Sequence, residues 1–378
     1  MTQLYDAKTI SKLPWPGHQD ANYAKRFLVP FISNGPDTYI ENIQTELLAL
    51  HIDDHVIPVT VSEVVPNNCF VCSPTSFYGG FSKERIAAIE NKKLRSLLSP
   101  VGNLLHHGLN RGRIDKVIYV NNWLLSTNLY PNLTDDQLLR IRNLLVDRYP
   151  DHAIGFRSIN EVDSLHCFRS LANSGFQLVA TRPIYIVDAN DASHFKSRMF
   201  KSDLKVLKNT DYNVVDESQI RPQDIPRIVD IYRKLYVDKY SNLNPKLTEQ
   251  FIELVIENKI LELKLLKKDG RVDGVLGFVA KNGVINSPLF GYDTSLPKEL
   301  GLYRMISTLL SLEAKERGLL LNMSSGAGRF KTLRRANPYI EYNAVYTKHL
   351  NLKRKLPWAI LKTLMNRIAS PMMVKLDR

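Results

Sequence analysis

The sequence has few of the features that mark membrane, secreted or zinc-binding proteins. None of its 378 residues belongs to a run approaching the ~18 consecutive apolar residues that a membrane-spanning helix needs. The N-terminus has neither a basic start nor an apolar segment, so we expect no signal peptide and a cytoplasmic protein. Of the three cysteines, Cys69-Phe-Val-Cys72 lacks the second pair that a zinc site requires, which predicts buried strand cysteines and no metal.

Motifs for hydrolytic chemistry are also missing. The nucleophile elbow Gly-x-Ser-x-Gly does not occur, and eight of the nine histidines precede residue 200. The adjacent pair His106-His107 has no third ligand at a suitable spacing, and neighbouring side chains point apart. We therefore expect neither a Ser-His-Asp triad nor a metal centre.

Acidic residues are scarce near the C-terminus. The formal net charge is +13, and residues 321–378 contain twelve Lys and Arg against only Glu341 and Asp377. Such a field concentrates anionic partners, which include cofactor phosphates, an acidic carrier protein, tRNA and anionic lipid. The alternative is a solvated basic tail that only keeps the protein soluble.

The length, about twice that of a typical domain, predicts two domains. The predicted division is an irregular lead-in over 1–35, a degenerate N-terminal domain over 36–190, a C-terminal catalytic domain over 191–350 and a basic amphipathic helix over 351–378. Both main segments repeat one order of elements: a helix, a short strand, a break containing Asn with Gly or Pro, and a strand rich in Tyr and Val. The sequence thus predicts an α/β protein in which each domain has a mixed, mainly antiparallel sheet flanked by helices.

The second half has the more distinctive order. Two helices precede three antiparallel strands with turns at Lys268-Asp-Gly270 and Lys281-Asn-Gly283, of which Asn-Gly is a strong hairpin signal. A Gly- and Pro-containing loop, a long helix and a strand ending at Ser324-Ser-Gly-Ala-Gly328 follow. This order resembles the GNAT acyltransferase superfamily, and the tandem arrangement is similar to its Fem-type and BioF-associated acetyltransferase-like branch. The resemblance covers residues 190–350 and, less closely, 40–188.

The resemblance implies a site for the donor's anionic end. In GNAT enzymes the loop before the long helix carries Arg or Gln, two residues, Gly, one residue and Gly or Ala, and binds the pyrophosphate of coenzyme A. Lys298-Glu-Leu-Gly301-Leu-Tyr303 stands in that place, where free amides at a helix N-terminus favour anions. Tyr303 departs from the small residue of the pattern and argues against ordinary coenzyme A binding. The predicted donor-binding set comprises Lys298, Gly301, Tyr303, Lys331, Arg334 and Arg335.

The resemblance also implies a reaction site where two strands diverge. Tyr292 and Asp293 end one strand while Ser324 and Ser325 end the other, so all four are predicted to face the gap. Asp293 would accept a proton from an attacking amine, and a Ser or Tyr hydroxyl would protonate the leaving group. The alternative is that Asp293 and Ser324 only cap turns.

The resemblance implies an N-acyltransferase that moves an acyl or aminoacyl group to a small-molecule or amino-acid amine by direct attack. The donor would be acyl-CoA, an acyl carrier protein or an aminoacyl-tRNA, with no tightly bound cofactor. The alternative is a non-catalytic module that binds nucleic acid or an anionic membrane through the basic C-terminal region. Leu356, Trp358, Ile360 and Leu361 beside several cations make peripheral membrane contact a further expectation.

Overall fold

The computed structural model describes residues 2–376, with side chains for residues 2–373. Positions 377 and 378 of the predicted C-terminal helix therefore lie outside the described residues. The strands are β1 (Thr2–Tyr5), β2 (Glu46–Ile52), β3 (His55–Ser62), β4 (Val117–Val120), β5 (Ala153–Ile159), β6 (Gln177–Asp188), β7 (Asn213–Asp216), β8 (Glu262–Lys268), β9 (Arg271–Lys281), β10 (Val284–Tyr292), β11 (Leu320–Asn322) and β12 (Asn337–Tyr346).

Helices cover both faces of the sheet that these strands form. They are α1 (Gln19–Asn34), α2 (Phe81–Ala87), α3 (Lys92–Arg111), α4 (Asp135–Arg148), α5 (Leu165–Asn173), α6 (Ala192–Lys196), α7 (Arg198–Lys208), α8 (Ile225–Arg233), α9 (Glu249–Glu257), α10 (Leu302–Arg317), α11 (Gly328–Thr332), α12 (Leu352–Leu364) and α13 (Ser370–Leu376). Helical turns of the π type precede α2, follow α8 and join α12 to α13. Throughout residues 2–376, no helix is both long and apolar enough to cross a bilayer.

All twelve strands belong to one sheet in the order β1-β2-β3-β4-β5-β12-β6-β11-β10-β9-β8-β7. Only β4 with β5 and β10 with β11 are parallel, and the other neighbours are antiparallel. Each half therefore contributes an antiparallel run of four strands followed by a parallel neighbour. The predicted α/β class with a mixed, mainly antiparallel sheet is confirmed.

The last strand of each half lies inside the sheet of the other. Strand β12 from the second half lies between β5 and β6, and β6 from the first half lies between β12 and β11. The β6–β12 pairing extends from Asn337 opposite Ile186 to Val345 opposite Gln177. Because backbone hydrogen bonds cross between the halves here, the strands form one continuous sheet. The predicted domain boundary at residue 190 stays a prediction.

Two local predictions were wrong. The lead-in contains β1 and the 16-residue helix α1, although Pro30 lies within that helix. Phe27, Leu28 and Phe31 of α1 are buried against the sheet, and this tertiary burial outweighs the lost hydrogen bond at proline. The cysteine segment is a buried turn rather than a strand, with Cys72 fully buried; burial raises the pKa of its thiol to about 11.

Candidate active site between two diverging strands

The site begins where the parallel strands β10 and β11 separate. They pair over only three residues, from Val284 opposite Leu320 to Asn286 opposite Asn322. Strand β11 ends there, whereas β10 continues past a bulge at residues 287–288. Pro288 in this bulge has no backbone N–H to donate. Because β11 ends at Asn322, alternate N–H groups of β10 beyond Asn286 face a gap instead of a neighbouring strand.

A cavity of about 510 Å³ opens at this gap. Of the four predicted catalytic residues, Tyr292, Ser324 and Ser325 line it, and Tyr303 and Lys331 of the predicted donor set line it too. The first half of the chain also contributes side chains to the wall, which the sequence did not predict. These include Phe70, Phe81, Glu84, Arg85, Leu124, Leu125, Ser126 and Arg182.

The loop after β11 is wound around the ammonium group of Lys331. Lys331 Nζ donates to the carbonyl oxygens of Met323, Ser324 and Ser325 at 2.8, 3.1 and 2.9 Å. It also lies 5.3 Å from the ring centre of Tyr185. Ser324 has a φ of 58°, so the chain turns sharply there. Lys331 thus shapes the rim of the cavity, which differs from the predicted role in donor binding.

Asn322 connects this rim to a buried carboxyl group in the first half. Its Nδ2 donates to Asp163 Oδ2 at 2.7 Å, and its Oδ1 accepts from the backbone N–H of Ser324 at 2.8 Å. Asp163 Oδ1 accepts a further bond from Asn160. Burial raises the pKa of Asp163 to about 6, and the hydrogen bonds it accepts from Asn322 and its neighbours only partly oppose this. Residues from both halves therefore position the strand end that borders the gap.

Five tyrosines form one wall of the cavity: Tyr232, Tyr236, Tyr240, Tyr292 and Tyr303. The rings of Tyr232 and Tyr236 stack at 4.8 Å, and those of Tyr292 and Tyr303 lie 5.9 Å apart. Burial raises the pKa of Tyr303, and the neighbouring tyrosine hydroxyls raise it further. These hydroxyls therefore stay protonated near neutral pH and can donate hydrogen bonds to a ligand. The spacing of four between Tyr232, Tyr236 and Tyr240 was a readable sequence signal for this wall.

A buried ion pair borders the cavity at the exchanged strands. Arg182 of β6 lies opposite Glu341 of β12, with Nε 3.0 Å from Oε1. The same guanidinium donates to the carbonyl oxygen of Ser126 at 2.7 Å. Sequence reasoning missed this pair because its members are 159 residues apart and meet only through the exchange of strands.

Asp293 does not lie among the residues that line the cavity. Its Oδ2 accepts from Arg227, and its Oδ1 accepts from the backbone and hydroxyl of Ser295 at 2.9 and 2.6 Å. Burial alone would raise the pKa of Asp293, but the hydrogen bonds from Ser295 and Arg227 outweigh it and hold the pKa well below its usual range. A strongly acidic, ion-paired carboxylate is a poor proton acceptor, so the geometry favours the turn-cap alternative.

The predicted anion loop forms, but it lies beside the cavity. Gly301 takes a φ of 72° at the start of α10, a conformation that suits glycine, while Lys298 is exposed and does not line the cavity. Arg334 is buried and forms an ion pair with Asp203, which also pairs with Arg304, and it does not line the cavity. Arg335 is exposed. Of the predicted donor residues, only Tyr303 and Lys331 reach the cavity wall.

Comparison with known proteins supports the fold. No family model and no curated protein sequence matches the chain. Among solved structures, FemX superposes with a TM-score of 0.50 at 8% identity, covering 85% of this chain and 91% of that one. L-PGS from Bacillus licheniformis gives 0.45 at 16% identity with 74% and 98% covered, and a GCN5-related N-acetyltransferase from Kribbella flavida gives 0.33 at 14% with 61% and 81% covered. The superposition on FemX confirms the predicted resemblance to a Fem-type fold.

Proposed function

We propose that the protein transfers an acyl or aminoacyl group from an activated donor to an amine by direct attack. The observation that carries this proposal is the divergence of β10 from β11 above a cavity of about 510 Å³. A donor carbonyl placed in the gap meets N–H groups of β10 that have no partner strand on that side. Such donors stabilise the negative charge that develops on the carbonyl oxygen during attack.

The remaining chemistry is positioning and proton transfer. The tyrosine wall holds the acceptor against the carbonyl, which removes much of the entropic cost of bringing two reactants together. Attack forms the new C–N bond and breaks the bond to the donor's sulfur or oxygen. Tyr292 and Tyr303 line the cavity at the gap and remain protonated, so either hydroxyl can give a proton to the departing group and regain one from the amine nitrogen as the amide forms.

An anionic donor fits the charges at the cavity mouth. Arg85 of α2 and Lys239 after α8 are exposed and line the cavity, against the single carboxylate of Glu84 among the lining residues. This balance favours a donor that carries phosphate groups, as coenzyme A, an acyl carrier protein and tRNA do. The three donors share this chemistry, and the experiment below distinguishes them.

The test is a product assay with each donor class. The purified protein is incubated with acyl-CoA, acyl-acyl carrier protein or aminoacyl-tRNA and with free amino acids, and amide products are identified by mass. Ser325→Trp, which adds bulk at the cavity rim, should reduce turnover at least about tenfold. Ser193→Trp places the same bulk on the exposed surface of α6 and should leave turnover unchanged.

Absence of an amide product with all three donor classes would overturn the transferase proposal. Equal turnover by wild type and Ser325→Trp would instead show that the reaction occurs outside this cavity. Nucleic-acid binding without any product would favour the non-catalytic alternative.

A further inference from the structure

Helix α3 presents an apolar stripe to solvent. Leu94, Leu97, Val101 and Leu104 recur at intervals of three and four residues, so their side chains share one side of the helix. All four are exposed, Leu97 by 71% and Leu104 by 75%. The opposite edge of α3 contacts the protein through Gly102 and Leu109, which are buried. Exposed apolar residues on a protein surface are usually isolated from one another. A contiguous exposed stripe therefore indicates an interaction surface.

The charged residues of α3 itself have one sign. Residues 91–114 contain no Asp or Glu, and the acidic residues nearest in sequence are Glu90 and Asp115. Lys93 lies four residues before Leu97, and Arg111 lies seven residues after Leu104, so both flank the stripe. The cations of the segment are Lys92, Lys93, Arg95, Arg111 and Arg113.

A second helix of the same character meets the end of α3. A side chain at Gly112 would come within 2.4 Å of Pro357 in α12, and Leu109 packs in one cluster with Trp358. Helix α12 buries Trp358 and Leu361 but leaves three apolar residues exposed, and no acidic residue occurs between Glu341 and Asp377. The exposed residues are Leu352, Leu356 and Ile360.

We propose that α3 and the exposed side of α12 bind the surface of an anionic lipid bilayer. An aliphatic stripe on a helix whose charged residues are all cations, as in α3 and α12, is the pattern of helices that lie in the membrane interface, where the apolar side chains enter the acyl region and the cations meet phosphate groups. A protein partner is less suited to the stripe, since protein interfaces are enriched in aromatic residues, Met and Arg, and the four residues of the stripe are all aliphatic. The proposal does not depend on the transfer reaction.

When α3 lies on the bilayer, the cavity lies close to the lipid surface. Helix α2 lies beneath α3, where a side chain at Gly102 would come within 2.7 Å of Ile86. Other residues of α2, Phe81, Glu84 and Arg85, line the cavity. The cavity wall and the lipid-binding stripe are thus separated by one short helix.

The experiment is co-sedimentation of the full chain with lipid vesicles. Wild type should bind vesicles of phosphatidylglycerol and phosphatidylcholine more tightly than vesicles of phosphatidylcholine alone, and added salt should weaken the binding. The double substitution Leu97→Glu with Leu104→Glu should lower the partition coefficient at least about tenfold, because two exposed leucines lose their place in the acyl region. Both positions are exposed, so the melting temperature should stay within a few degrees of wild type.

The matched control is Leu139→Glu with Val214→Glu. These residues are also exposed and apolar, the added charge is the same, and they lie on α4 and β7. The control should bind vesicles as wild type does. Equal vesicle binding by both double variants, or no preference of wild type for anionic vesicles, would overturn the proposal. So would a wild-type dimer in sedimentation velocity that becomes monomeric in the Leu97/Leu104 variant without any vesicle binding, because the stripe would then join two copies of the chain.

Discussion

Arg227 of α8 holds the carboxylate of Asp293 in a largely buried ion pair, with Nη2 2.5 Å from Oδ2. The same arginine also reaches Asp273 of β9, at 3.4 Å. This arrangement connects the end of β10 to the helix that carries Tyr232, the first tyrosine of the cavity wall. Asp293 therefore has a structural use that its position at a strand end did not reveal.

Replacing Asp293 by Asn should cost about 1–3 kcal/mol of unfolding free energy at neutral pH, because Arg227 loses one of its carboxylate partners and keeps only Asp230 and Asp273. The folded-state pKa of Asp293 is depressed, so the ion pair is fully present above the unfolded pKa of about 3.9 and is lost as the pH falls toward the folded value. Denaturant titrations of both proteins from pH 7 to pH 3 should show their difference shrinking. Turnover below the unfolding temperature should stay near wild type; a loss of 10² or more with unchanged stability would restore Asp293 as the catalytic base.

Asp163 should give the opposite pH dependence. Its pKa is raised to about 6 by burial, so the folded state retains a proton that the unfolded chain loses near pH 4. The stability it contributes is present below pH 4 and is lost as the pH rises through 6, by roughly 2–3 kcal/mol. Asp163→Asn should flatten the stability profile between pH 4 and 6 in denaturant titrations, whereas Asp151→Asn, at an exposed position, should not. If the stability of wild type and of Asp163→Asn changed in parallel between pH 4 and 6, the raised pKa of Asp163 would be refuted.

Tyr303→Phe tests the hydroxyl at the strand gap. The ring packs against Phe330 and Phe290, so the substitution keeps these contacts and should change stability by less than about 1 kcal/mol. Loss of the proton donor should lower kcat about 10²-fold if Tyr303 protonates the leaving group. Because its pKa is raised, the wild-type rate should show no decline attributable to Tyr303 up to about pH 10.

The control for that hydroxyl is Tyr339→Phe on β12, which does not line the cavity and should leave kcat unchanged. A Tyr303→Phe enzyme with full kcat would transfer the role of proton donor to Tyr292 or remove it from both residues, and Tyr292→Phe separates these cases.

Alanine substitutions of Lys298 and Lys239 test where the donor's anionic end binds. The anion-loop hypothesis predicts that Lys298→Ala weakens donor binding by roughly 1–2 kcal/mol in calorimetry. The cavity instead points to Lys239 at its mouth, and Lys239→Ala should then produce the larger loss, one that diminishes at high salt. A loss confined to Lys298→Ala would place the donor at the start of α10.

Local sequence signals are sufficient to predict most of the individual elements and their order. The Asn282-Gly283 turn, the helix after Gly301 and the strand before Ser324 all formed as predicted, because turn chemistry and apolar periodicity act over a few neighbouring residues. The same local information placed Tyr292, Ser324 and Ser325 at the gap. Local information did not predict α1 in the lead-in, because burial of this helix outweighs the helix-breaking effect of Pro30.

How these elements combine into a site depends on long-range contacts in the folded protein. The exchange of β6 and β12, the contribution of α2 to the cavity wall and the Arg182–Glu341 pair depend on contacts between residues far apart in the chain. The partners of the charged groups also depend on the fold. The sequence predicts Asp293 as a proton acceptor and Lys331 and Arg334 as donor-binding residues, yet each is engaged by a partner within the protein. A charged side chain that folds into the interior must be paired, since desolvation costs more than an unpaired charge can recover, and which partner it finds is a property of the fold.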